Sequence, residues 1–86
     1  MRHIFERIGQ RLKKMREAKE ISQSELAAHL DFDKRTIVRI EKGQPSTTLT
    51  IEKIAQALNI DGETLVTASE TKFIEIVNKV KNKKVK

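Results

Sequence analysis

Ser22-Gln-Ser-Glu-Leu-Ala-Ala-His-Leu-Asp-Phe-Asp-Lys-Arg-Thr-Ile-Val-Arg-Ile-Glu-Lys-Gly43 spells two short helices around a three-residue turn. Ser22 can cap the first helix by accepting a backbone N–H bond, and Glu25 three residues on completes a capping box. Leu26 and Leu30 share one helix face. Ala27 beside them is small enough for a second helix to cross closely, at the roughly 90–120° that such a motif requires. Asp31, Phe32 and Asp33 break the periodicity: Asp31 tolerates a left-handed turn, Phe32 can turn inward and Asp33 can cap the next helix. Ile37 and Ile40 point back at Leu26 and Leu30, and Gly43 stands where a helix-ending glycine is favoured. The pattern is that of a helix-turn-helix.

The outer face of the second helix carries Lys34, Arg35, Val38, Arg39 and Lys42, opposite Ile37 and Ile40. Four of the five are cationic. Lys and Arg can donate to guanine O6 and N7 in the major groove, and an apolar Val38 can sit against a thymine methyl. Any surface helix can carry a solvated charged face, so the helix alone leaves both meanings open. The tight crossing in front of it tips the balance to double-stranded DNA.

Size and composition narrow the classes further. Eighty-six residues make one small domain, too small for a catalytic cavity and the scaffold around it. An enzyme is not expected, nor a cofactor: His3 and His29 have no neighbouring ligand pattern and no carboxylate pair stands out. Three Phe with no Trp or Tyr leave little to build a base-stacking platform for single strands. The absence of Cys rules out a disulfide framework and a thiolate metal site. Met1 to Arg7 holds no signal-like apolar run, and no segment approaches the ~20 apolar residues of a membrane span, so a soluble cytoplasmic protein is expected. The net charge is +6, but six lysines against Glu75 alone put +5 of it from Lys72 onward, leaving +1 for residues 1–71. Net charge is therefore weak evidence of where DNA binds.

Along the chain, Ile4, Ile8, Leu12 and Met15 step by three or four and predict a core helix from Ile4 to about Lys19, with Arg7, Arg11, Lys13, Lys14 and Lys19 on its solvated faces. Gln44 to Thr48 is a polar loop around the single proline; its amides and hydroxyls are either phosphate donors or plain surface. Thr50 is the expected cap of a fourth helix with Ile51, Ile54, Ala55 and Leu58 inward and Asn59 at its end. Asp61 caps a short fifth helix through Val66, with a strand competing at Thr64 and Val66. The expected architecture is all-α, five helices with short connections over residues 1–67. Residues 68–86 change character: Thr67 to Glu70 looks like another capping box, and Phe73, Ile76, Val77 and Val80 lie at helical spacing before a lysine-rich, frayed end from Lys79 to Lys86.

Gln23-Ser-Glu-Leu-Ala27, Thr36-Ile37, Arg39-Ile-Glu-Lys-Gly43 and Ile54-Ala-Gln-Ala-Leu58, in this order and spacing, resemble the Cro/CI-repressor (XRE-like) helix-turn-helix family over roughly residues 5 to 66. The resemblance implies a five-helix, lambda-repressor-like domain, usually dimeric, whose third helix enters the major groove. It implies phosphate contact by Gln23, base reading by Lys34, Arg35 and Arg39, and a pair between Arg16 and Glu41 that ties helix one to the end of helix three. The chain departs from the family at Asp31 and Glu20, where glycine is usual, and at Asp33, where Ser or Thr is common. Beyond Thr67 the family gives no guidance.

The function expected is a sequence-specific regulator, a repressor binding a short inverted repeat as a homodimer. Base contacts fall to Lys34, Arg35, Val38 and Arg39, and phosphate contacts to Gln23, Lys42, Gln44, Thr47 and Thr48. The alternative is an antitoxin that binds a toxin protein and represses its own operon, since the Thr47 to Thr50 loop and the appended segment loosely resemble HipB-type antitoxins. Phe73, Ile76, Val77 and Val80 then form a dimer or partner interface, or merely pack on the bundle.

Overall fold

A computed structural model describes residues 4–84, and its regular elements are all helices: α1 (Ile4–Ala18), α2 (Gln23–Leu30), α3 (Lys34–Glu41), α4 (Thr48–Ala57), α5 (Gly62–Thr67) and α6 (Glu70–Lys84). His3 and the last two residues of the lysine-rich end lie outside the described residues. The fold is the expected five-helix arrangement, with α2 and α3 as the helix-turn-helix, followed by a C-terminal helix.

Helices α1 to α4 all stop in one way. At each end a residue turns into the left-handed region, namely Glu20, Asp31, Gly43 and Asn59 at φ 59°, 60°, 97° and 62°. That residue and its successor then return N–H bonds into the last turn, as Asp31 does to Ala28 and Phe32 to Ala27, closing carbonyls that the helix leaves open. This reverses the chain within a few residues and keeps the connections short. It also explains why glycine is usual where Glu20 and Asp31 stand: an L side chain is strained there and glycine is not.

The opposite ends are capped by side chains. Ser22 and Glu25 form the full capping box, with bonds of 3.0 and 2.8 Å, Asp33 accepts the Arg35 N–H at 3.0 Å, and Asp61 accepts that of Thr64 at 3.2 Å. Two expected caps are corrected. Thr47, not Thr50, caps α4: its hydroxyl oxygen accepts the Thr50 N–H at 3.2 Å, and starting the helix at Thr48 leaves Leu49 61% exposed. Thr67 makes no capping box with Glu70. Its hydroxyl donates to the Glu63 carbonyl at 2.8 Å inside α5, and Ser69 takes over by accepting the Lys72 N–H at 3.1 Å. Thr64 and Val66 lie in helix α5, so the competing strand is excluded.

A single core gathers Ile8, Leu12 and Met15 of α1, Leu26 and Ala27 of α2, Ile37 and Ile40 of α3, Ile51, Ile54 and Ala55 of α4, Leu58, Ile60, Leu65, and Phe73 and Val77 of α6. Ile4 does not join it. It stands 48% exposed and only lines an open cleft with Phe5, Ile51 and Val66. Helix α6 lies along α1 and continues to Lys84, past the point where fraying was expected.

The largest departure concerns Arg11, expected in solvent and found 3% exposed. Its Nη1 donates to the Leu65 carbonyl at 2.9 Å, its Nη2 lies 3.5 Å from Glu70, and its guanidinium carbon sits 4.9 Å from the centre of the Phe73 ring. Arg7, one turn earlier, donates to the Val66 carbonyl at 2.7 Å. Two cations on α1 thus meet the C-terminal end of α5, where the helix dipole is negative and carbonyls lack helical partners. The extension is built into the domain through this junction.

Candidate nucleic-acid interface

Helix α3 has two unlike sides. Ile37 and Ile40 are 1% and 5% exposed against α1 and α2, while Lys34, Arg35, Arg39 and Lys42 all face solvent and Val38 lies half-buried among them. The rotation that buries the two isoleucines is what aligns the cations, because residues three and four apart share a helix face. All five residues expected on the outer face are brought together there.

The ends of α3 are firmly placed. Glu41 accepts three bonds: from Arg16 Nε at 2.6 Å, from Arg16 Nη2 at 3.2 Å and from Gln23 Nε2 at 2.9 Å. Arg16 donates a further bond from Nη1 to the Ile21 carbonyl at 2.7 Å. The expected Arg16–Glu41 pair is therefore formed and almost buried, and it fastens α1, the entry to α2 and the exit of α3 at one point. Gln23 belongs to this knot, which leaves its second amide hydrogen and its carbonyl oxygen as the polar atoms without a bond there. Gly9 is a further element that sequence reasoning missed. A Cβ on it would overlap the Ile40 carbonyl oxygen and come within 3.1 Å of that of Glu41, so α1 touches the last turn of α3 backbone to backbone.

Beyond α3 the loop residues divide. Lys42 and Thr48 are exposed. Thr47 is not a free donor: its hydroxyl donates to Thr50 Oγ1 at 2.9 Å while capping α4. Gln44 is turned back to α3, where its Oε1 accepts the Arg39 Nε–H at 3.0 Å. At the other end, Arg35 Nη2 lies 4.0 Å from Asp33 Oδ2, an exposed pair of little energetic weight that nevertheless puts a carboxylate beside a candidate reading residue.

The segment assigned to a dimer or partner lies mostly inside. Phe73 is 1% and Val77 8% exposed, and Ile76 and Val80 are half-buried against the same core. Packing on the bundle, one of the alternatives left open, is thus what these four residues do in the single chain; Ile74 is the exposed large apolar residue of α6. Among the described residues no group of three His, Cys, Asp or Glu is placed to hold a metal ion, and no helix is long and apolar enough to cross a membrane.

A family model described as helix-turn-helix matches residues 12–65, more than half of the chain: the whole of α2 to α4, the C-terminal part of α1 and most of α5. No curated protein and no solved structure gives a significant match.

Proposed function

Since the chain belongs to the Cro/CI-type (XRE-like) helix-turn-helix family of DNA-binding transcription regulators, we propose that it is a repressor that binds a short inverted repeat as a homodimer. The observation that carries this is the two-sided α3: a buried isoleucine seam fixes a helix whose solvent face is four cations around Val38. Lys34, Arg35 and Arg39 donate to base edges, Val38 meets a thymine methyl, and Lys42, Thr48 and the remaining amide hydrogen of Gln23 hold phosphates. Thr47 is left out because its hydroxyl is already engaged. In a two-fold dimer the two α3 helices sit about one duplex turn apart, ~34 Å, which is why the site is an inverted repeat. Repression then follows from covering the duplex.

The toxin-partner reading draws less support. It relies on Phe73, Ile76, Val77 and Val80, of which Phe73 and Val77 are in the chain's own core and Ile76 and Val80 are packed half-buried against it.

Selection of bound sequences from a random double-stranded DNA pool tests the proposal. A palindromic consensus is the expected result, with affinity falling steeply as salt rises because phosphate neutralisation releases counterions. Recovery of no preferred sequence would sink the regulator reading and favour the partner-binding class. A consensus without symmetry would remove the dimer.

A further inference from the structure

Gln44 is held by both of its neighbours. Gly43, at φ 97°, turns the chain so that the Gln44 N–H donates to the Arg39 carbonyl at 3.1 Å, and the residue before a proline is confined to extended backbone. From that fixed position its side chain returns to the same residue, accepting the Arg39 Nε–H at 3.0 Å. Arg39 is gripped at its carbonyl and at its guanidinium by one residue.

This matters because of how a guanidinium reads a base. It has five N–H groups and uses two at once on guanine O6 and N7. Either the edge formed by Nε and one Nη or the end formed by the two Nη can do so. With Nε engaged, only the end is left, and the plane of the group is set before DNA arrives. Rotamer freedom removed in advance is not lost on binding. Arg35 has no such support, since its side chain is 87% exposed with only Asp33 at 4.0 Å.

We propose that Gln44 is a positioning residue for base readout: by accepting from Nε it aims the two Nη groups of Arg39 at one guanine in each half-site. This rests on Arg39 being a base reader. The inference differs from a phosphate contact by Gln44 in which atom matters. Positioning uses the carbonyl oxygen as acceptor, whereas phosphate binding uses the amide nitrogen as donor.

Gln44→Glu separates the two, for it keeps the acceptor and deletes the donor. The experiment is the random-pool selection, run on the wild-type chain, Gln44→Ala, Gln44→Glu, Arg39→Ala and the Arg39→Ala/Gln44→Ala pair, with circular dichroism to show that each variant retains its helices. Positioning predicts that Gln44→Ala weakens the guanine preference about fivefold, as for loss of one hydrogen bond, at the same base pair that Arg39→Ala relaxes. Gln44→Glu keeps that preference, and Gln44→Ala adds nothing once Arg39 is gone. If instead both Gln44 variants lose affinity on every sequence alike, Glu more than Ala, the residue is a phosphate donor and the inference falls. It also falls if Arg39→Ala leaves the consensus unchanged. A wild-type chain that enriches no sequence defeats the DNA-reading assignment itself, a result distinct from either.

Discussion

Gly9 on α1 lies directly against the carbonyl oxygen of Ile40 in the last turn of α3. In sequence Gly9 looks like a weak point in a helix, and by propensity alone Gly9→Ala should stabilise α1 by about 1 kcal/mol. The contact reverses the sign. An added methyl meets backbone, not a side chain that can swing away, and overpacking of this kind costs about 1–3 kcal/mol. Gly9→Ala should therefore lower the urea midpoint, and because the displaced element is the end of α3 it should weaken DNA binding as well. An unchanged or raised midpoint would show that α3 yields to the methyl.

Arg16 and Glu41 lead to a second expectation. Their side chains are 9% and 5% exposed, and Gln23 donates to the same carboxylate. Arg16→Ala strands a buried carboxylate and should cost about 3–5 kcal/mol. An apolar replacement of both, Arg16→Met with Glu41→Leu, should cost less than Arg16→Ala alone, since no charge is left without its partner. Equal urea midpoints for Arg16→Ala and the parent would contradict the first statement, and a double variant weaker than the single would contradict the second.

Arg11 tests what holds α6. The guanidinium meets Leu65, Glu70 and Phe73, but its Nε is buried without a partner, so its polar contacts carry an internal cost. Arg11→Met keeps most of the stem's packing, exchanges the guanidinium over Phe73 for a sulfur–aromatic contact and removes the orphaned donor. Arg11→Ala removes the stem too. The expected losses are about 1 kcal/mol for Met and about 2–4 kcal/mol for Ala, read from chemical unfolding. Equal losses would mean that the bonds to Leu65 and Glu70, and not the packing, hold the extension.

What was legible in the sequence and what was not divides along a physical line. Ser22 with Glu25, Ala27, Asp33 and the seam of Leu26, Ile37 and Ile40 are local facts, set by spacings of three and four and by the chemistry of caps. Arg11 is not local: its burial depends on Leu65 and Phe73, more than fifty residues away, and an arginine among Arg7, Lys13 and Lys14 gives no sign of it. Gly9 was silent for the same reason, as its need for smallness comes from Ile40. The start of α4 is misplaced at Thr50 because Thr47 and Thr50 carry the same capping hydroxyl; the structure uses Thr47 and leaves Leu49 in solvent. At the interface the outward cations could be read off α3, whereas the Gln44–Arg39 bond spans a helix end whose geometry had to be seen.

Asp31 carries a smaller prediction. It sits at φ 60° in the turn of the motif, a conformation that is strained for a side chain and relaxed for glycine. Asp31→Gly should raise stability by about 0.5–1 kcal/mol, the relief of strain outweighing the added freedom of the unfolded chain. A fall in the thermal midpoint would mean that the aspartate side chain supports the turn by more than its backbone costs.

The cations of α3 and its exit should separate in their effects on DNA. Arg35 and Arg39 stand on the outer face with exposed guanidiniums able to bond a guanine edge twice, so Arg35→Ala and Arg39→Ala should each cost about 1–3 kcal/mol on the preferred site and relax the preference at one base pair. Lys42 lies past the last turn, at the C-cap, and the proposal assigns it a phosphate, a contact that carries no sequence preference. Lys42→Ala should weaken binding on all duplexes alike and reduce the slope of log affinity against log salt by about 1. Asp33 adds an internal control. Its carboxylate is near Arg35 and far along the chain from Arg39, so Asp33→Ser, which keeps a helix cap, should alter preference at the base pair assigned to Arg35 and leave the other alone. If the arginine variants lose affinity uniformly across sequences while Lys42→Ala changes the consensus, the roles assigned to the two groups are reversed.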